Sequence, residues 1–268
     1  MRRNGPLALT FHAIFVIVMV APILVVCLVA FTPEGYLSLP TNGFSLRWFR
    51  TIANYPEFIH AFWISLALGA LSSLVALLFA VPAALAIARY RFRGRDALAA
   101  LFLSPLMIPH VVLGIAFLRF FTSAGLGGSF AALIIAHVII VFPFALRLTL
   151  AAATGMDRTV EMAAVSLGAG GWTLFRRVTL PLILPGVISG WALAFIQSFD
   201  YLTMTVFLAT PGTETLPVRM FLYIQDNIDP LVTSVSACVI AVTMTALILL
   251  DRFYGLDRVL AGKGDTGR

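Results

Sequence analysis

The sequence predicts an all-α membrane protein: a single domain over residues 1–268, built as a bundle of six transmembrane helices with a helix pair outside the lipid. Three observations predict it. Apolar residues make up 60% of the 268 residues and charged residues 11%, with a mean hydropathy of +1.00. A soluble domain is about 45–50% apolar and about 25% charged, so this excess of apolar surface calls for lipid. Apolar runs recur along the chain at lengths near the roughly 20 residues that a helix needs to cross a bilayer. The charges gather at the ends of those runs, where they set topology. The net charge of +6 and the pI near 9.9 therefore do not point to nucleic acid.

Taken in order, a short basic start with Arg2 and Arg3 leads into a first span at 11–31. No small-residue cleavage site follows the run, so it is read as a retained helix and not as a signal peptide. The connection 32–60 is polar and contains proline; Leu46, Trp48, Phe49 and Ile52 give it an amphipathic piece suited to a membrane surface. The second span, 61–88, carries Gly69 and Ser73 at small-xxx-small spacing, and ends at Arg89, Arg91, Arg93 and Arg95. The third, 97–121, contains Pro105, Pro109 and His110, and is expected to be kinked or broken. The fourth covers 130–150, the fifth 182–209 with Gly186 and Gly190 near its start, and the sixth 232–250. Residues 210–231 read as a loop with Glu214, Asp226 and Asp229; a basic tail follows the last span.

Six spans put both termini on one side. With the 89–95 turn and the segment 155–181, that side holds 14 of the 18 Lys and Arg residues, leaving Arg47, Arg50, Arg119 and Arg219 on the other. The positive-inside bias then places both termini and the 155–181 segment in the cytoplasm.

That segment is the long polar-rich stretch between apolar ones. A helix is expected from Asp157 to Leu167, opened by an acidic residue; Gly168, Gly170 and Gly171 end it. A second short helix, 172–178, is expected next, with Pro181 and Pro185 marking the return into the fifth span. Two readings fit these residues equally: a docking platform for another protein, or an ordinary loop with two amphipathic helices.

The spacing in this stretch resembles the cytoplasmic EAA loop of permease subunits of binding-protein-dependent ABC importers, the MetI-like permeases. Met162, Ala163 and Ala164 stand at the E-A-A triplet, Gly168 follows after three intervening residues, and after nine more come Val178, Thr179, Leu180 and Pro181. The family's glutamate position is Met162 here, with a carboxylate one residue earlier at Glu161. The resemblance implies that Glu161, Met162, Ala163, Ala164, Gly168, Leu180 and Pro181 form the ATPase-coupling element, with Glu161 to Leu167 in a groove of the ATPase. Further on, Ser198-Phe199-Asp200 and Pro211-Gly212-Thr213-Glu214-Thr215-Leu216-Pro217-Val218 resemble the spermidine/putrescine branch of these permeases.

What the family implies is an inner-membrane subunit of an ATP-driven importer, with polyamines or a related small solute as cargo. Its implied partners are two ATPase subunits, a second homologous permease and a periplasmic or extracellular solute-binding protein. ATP would be bound by the ATPase partners, and this chain would hold no cofactor.

Asp200 is the informative polar residue within an apolar run. An ionisable group at membrane depth costs at least about 2.5–3.5 kcal/mol, so it faces water or a partner. With Gln197 and Tyr201 it is a candidate lining of a substrate pathway, where a carboxylate favours cationic cargo; the alternative is a place at the outer interface, or a hydrogen bond to Thr203 or a neighbouring helix. No catalytic or metal site is expected. There is no phosphate-binding loop, no H-E-x-x-H and no G-x-S-x-G. His12, His60, His110 and His137 are scattered and read as packed or interfacial, and Cys27 and Cys238 lie in apolar runs. The rival class, a stand-alone secondary transporter or channel for a small cation, usually carries internal repeats and several paired intramembrane charges, which this sequence lacks.

Overall fold

The computed structural model describes residues 5–39 and 41–254; the expected basic residues Arg2, Arg3, Arg258, Lys263 and Arg268 lie outside them. Every regular element among the described residues is helical. Apolar helices α1 (Pro6–Val29), α3 (Pro56–Arg89), α6 (Phe130–Gly155) and α9 (Leu180–Phe199) occupy the first, second, fourth and fifth expected spans, with the short α2 (Arg47–Thr51) ahead of α3. At the third, α4 (Arg95–Leu103) and α5 (His110–Ser123) meet at a 95° bend. The 3-10 turn Ser104–Leu106 and Pro109, which stands at the N-cap of α5, make that break. Pro22, Pro82, Pro143 and Pro185 are held inside helices without one. Outside the lipid-crossing set, α7 (Arg158–Ser166) and α8 (Gly171–Leu174) precede α9, while α10 (Thr205–Leu208) and α11 (Leu216–Asp226) follow it. The last helix, α12 (Leu231–Tyr254), is apolar over Leu231–Thr245.

Among the described residues, four helices are individually long and apolar enough to cross a membrane, or five if the bent pair α4–α5 is taken as one span. Beyond shifts of a few residues at other helix ends, two elements differ from the expected ones. The fifth span was expected to run to residue 209, but α9 stops at Phe199, and only the four-residue α10 follows the break. The segment expected to be a loop at 210–231 contains α11, whose Leu216 N–H is held by Ser65 Oγ at 2.8 Å.

Contacts group the described residues into two compact units: those through 59 with 219–249, and 60–218 with those from 250. In the first, Trp48 is buried and its indole N–H donates to the Glu34 carbonyl at 3.0 Å, while Phe31 stacks on Phe44 at 4.5 Å. Arg219 pairs with Glu57 at 2.9 Å. In the second, small residues set the helix spacing. Ala76, Ala80 and Ala84, one turn apart on α3, are fully buried with Ala145, Leu146 and Ala194. Gly186 and Gly190 of α9 lie against α6: a Cβ on Gly186 would come 2.3 Å from Ala152 Cβ, and one on Gly190 3.0 Å from the Ala145 carbonyl oxygen. Backbones come this close in lipid only where side chains are absent.

A candidate coupling platform and a polar helix break

Two places in the second unit bring functional groups together. The first is the helix pair α7–α8. Asp157 caps α7, its carboxylate accepting from the Thr159 N–H at 2.9 Å. At the other end Gly168 adopts φ +87°, a left-handed conformation that costs an ordinary residue about 1–2 kcal/mol. Ala169 N–H then donates to the Ala164 carbonyl at 3.0 Å and Gly168 N–H to Val165 at 2.9 Å. This is a Schellman turn, and it closes the orphan carbonyls of the helix end.

Glu161 does not project outward with its neighbours Met162 and Ala163. Its carboxylate turns back to Arg89, in the last turn of α3, and accepts from the hydroxyl of Thr179; Arg89 Nη2 also donates to that hydroxyl at 2.9 Å. Thr179 is fully buried and the Glu161 side chain is 12% exposed. Within its own chain the Glu161 carboxylate is thus engaged by Arg89 and Thr179. Arg158 adds a second tie by donating to the Ala88 carbonyl at the end of α3. Met162 is 60% exposed, and Val165, Leu167 and Trp172 are exposed as well. Ala163 also faces outward, whereas Ala164 is half-buried.

The second expected short helix is not separate from the fifth span. From Gly171 to Phe199 the backbone is one continuous helix of 29 residues. A π-helical turn at Phe175–Thr179 widens the ladder just before Pro181, which has no N–H to continue it and whose ring would crowd the carbonyl four residues back. Leu180 is half-buried and Pro181 exposed at the start of α9. Pro181 therefore follows a change of pitch within one continuous helix, and Pro185 lies inside that helix.

The second place is where α9 ends. Asp200 is the C-cap residue, exposed, with its N–H on the Ile196 carbonyl at 3.2 Å. Gln197 is half-buried one turn earlier. Tyr201 turns the other way: it is 9% exposed, packs 5.2 Å from the His110 ring and 5.9 Å from His137, and its buried hydroxyl has no hydrogen-bond partner among the described residues. The expected trio is thus split, with Asp200 outward and Tyr201 in the core. Nothing in the local sequence pointed to Arg89 or Thr179, which stand 72 and 18 residues from Glu161. An ionisable residue inside an apolar run does single out His137. Among the described residues no group of three His, Cys, Asp or Glu side chains converges as a metal site.

The described residues form an all-helical bundle with apolar helices long enough to cross a membrane, in which the capped helix α7 is tied to the helix that contains α9 through Glu161 and Thr179. A model of the family described as the binding-protein-dependent transport system inner membrane component matches residues 76–256, and the chain belongs to that family. It is similar to the spermidine/putrescine transport system permease protein PotC of Haemophilus influenzae, at 29% identity over 228 residues, covering 85% of this chain and 88% of that one. It is also similar to a probable molybdenum ABC transporter permease protein of Haloferax volcanii, at 34% identity over 195 residues, covering 69% and 72%. In fold it resembles a chain in the crystal structure of a bacterial ABC transporter involved in the import of the acidic polysaccharide alginate, with a TM-score of 0.74 at 14% identity, covering 95% of this chain and all of that one.

Proposed function

We propose that this permease moves a small polyamine-like cation inward, driven by ATP hydrolysed on partner subunits, with α7 as the element that receives their motion. The observation that carries the reading is the junction of α7 with α9. A push on the exposed face formed by Met162, Val165 and Leu167 meets a helix capped at both ends and tied through Glu161 to Thr179. Thr179 belongs to the same continuous helix that ends beside Asp200. At 1.5 Å per residue that helix is about 43 Å long, enough to carry a displacement across the lipid without chemistry in this chain. The partners on this reading are two ATPase subunits below α7, a second homologous permease completing the pathway, and a soluble binding protein outside; the termini and α7 lie in the cytoplasm, and ATP binds to the partners alone.

The cationic cargo is supported by the exposed Asp200 carboxylate at the C-terminal, electronegative end of α9, and by the spermidine/putrescine relatives. Reconstituted with its partners, the assembly should take up spermidine in preference to molybdate, and Asp200→Asn should lower spermidine uptake about tenfold, the worth of about 1.4 kcal/mol. Preference for molybdate, or full spermidine uptake by Asp200→Asn, would overturn the cargo assignment. Solute movement by this chain alone would overturn the coupling role.

A further inference from the structure

A chain of polar side chains crosses the interior of the second unit, and the coupling role does not use it. His137, in α6, is 1% exposed. Its Nδ1 lies 2.8 Å from Ser198 Oγ in the last turn of α9, and its Nε2 lies 3.1 Å from Thr205 Oγ1 at the start of α10. Ser198 Oγ is in turn 2.9 Å from Ser72 Oγ of α3. The two ends of the chain rest on backbone: Ser72 Oγ donates to the Leu68 carbonyl at 2.5 Å, and Thr205 Oγ1 to the Tyr201 carbonyl at 2.6 Å. All three hydroxyl residues are buried.

Ser198 and Thr205 stand on opposite sides of the helix break that contains Asp200. One imidazole therefore bridges the break from a third helix. We infer that His137 is a positioning residue for transport: by bonding the hydroxyls on both sides of the interruption, it fixes where α9 stops and where Asp200 stands relative to α3 and α6. The geometric half of this inference stands alone. Its consequence for uptake rests on the reading of Asp200 as a pathway residue.

Hydrogen bookkeeping explains why a histidine suits this place. Five contacts run from the Leu68 carbonyl to the Tyr201 carbonyl. Three hydroxyl hydrogens and the one N–H of a neutral imidazole serve them, so each tautomer leaves one contact unmade. With the hydrogen on Nδ1, the line from His137 through Ser198 and Ser72 to Leu68 is complete, and Thr205 gives up the Tyr201 carbonyl to reach Nε2. With the hydrogen on Nε2, Thr205 keeps Tyr201, and the line toward α3 loses one link. The same ring thus grips either the α3 side or the α10 side of the break more firmly. A leucine of similar bulk would fill the space and grip neither.

The test uses the complete assembly in proteoliposomes, in a Cys27→Ser, Cys238→Ser background carrying Asp200→Cys as a reporter for a small water-soluble thiol reagent. His137→Leu is expected to change the labelling rate at position 200 by about fivefold or more, the effect of an interhelical hydrogen bond or two in lipid, at unchanged membrane abundance. His137→Gln, whose amide offers both an N–H donor and a carbonyl acceptor, should restore the rate. Ser198→Ala and Thr205→Val should each shift it less, and they carry the test if His137→Leu does not insert. An unchanged labelling rate in these variants overturns the inference. With Asp200 intact, His137→Leu should lower spermidine uptake about tenfold, and His137→Gln should recover it. Labelling that shifts while uptake stays whole overturns the transport consequence and the pathway role of Asp200 together, and leaves the clamp on the break standing.

Discussion

Arg89, in the last turn of α3, holds Glu161, in the first turn of α7, in an ion pair that also takes in the buried hydroxyl of Thr179. Three stretches far apart in sequence meet at that carboxylate. Exposed ion pairs contribute about 0–1 kcal/mol, while removing one partner of a buried pair costs about 3–5 kcal/mol. With side chains 24% and 12% exposed, this pair lies between those limits.

Arg89→Gln should therefore loosen α7 without unfolding the bundle. Amide exchange over Arg158–Ser166 is expected to quicken about tenfold, the equivalent of about 1.4 kcal/mol, while exchange in α6 stays unchanged. The double variant Arg89→Glu with Glu161→Arg should recover part of the protection. Equal quickening in α6 would show that the pair stabilises the whole unit, and not the seating of α7.

Gly168 makes its contribution through the backbone alone. Among the described residues, chain neighbours aside, no atom lies within 4 Å of the place its Cβ would occupy, so size is not the issue there. Gly168→Ala and Gly168→Val should both weaken the α7 C-terminus by about 1–2 kcal/mol, through the positive φ. Gly168→Asn should cost less, because asparagine visits that conformation more readily. Uptake by the reconstituted assembly should fall in the order glycine, asparagine, alanine, valine; indifference of uptake to all three would separate this turn from coupling.

The positions of these elements were legible where a short-range rule governs them. Apolar runs locate the long helices, and Gly168 announces its turn because only a residue without Cβ sits there at low cost. Proline and histidine at 105–110 announce the bend between α4 and α5. Illegible were the contacts that close over distance. Nothing near Glu161 tells that Arg89 waits on another helix, so the carboxylate reads as part of an outward face. Composition misplaces the end of α9, because Tyr201 to Ala209 is as apolar as what precedes it. The chain stops being helical there where hydroxyls of Ser198 and Thr205 find His137. Pro181 misleads for a related reason: a π-helical turn absorbs it, and pitch changes leave no periodicity long enough to notice.

Asp157 makes the start of α7 sensitive to acid. The backbone N–H of Thr159 first, and its hydroxyl second, hold the Asp157 carboxyl below its ordinary value of 3.8. A carboxyl lowered in the folded state contributes stability that is complete above the unfolded value and is lost as pH falls through the folded one. Protection of the first turn of α7, corrected for intrinsic exchange, should therefore hold from neutral pH down to about pH 4 and decline below it. Asp157→Asn caps without titrating, and should remove the acid step that this residue contributes.

Gly186 offers the sharpest packing test. Its missing side chain lets α9 lie against α6 so closely that a Cβ would come 2.3 Å from Ala152 Cβ and 2.9 Å from the Leu148 carbonyl oxygen. One of these obstacles is a methyl group that can be removed, and the other is backbone that cannot. Gly186→Ala should force the helices apart at a cost of about 1–3 kcal/mol, the usual range for overpacking. Adding Ala152→Gly relieves the methyl contact and should recover part of the loss, but not all, because the carbonyl remains. Thermal unfolding of the detergent-purified assembly, read against the two single variants, measures that coupling. Strict additivity would mean that the two helices do not meet at this crossing. Complete recovery would mean that the Leu148 carbonyl yields, and that the α6–α9 pair is softer than its small-residue seam implies.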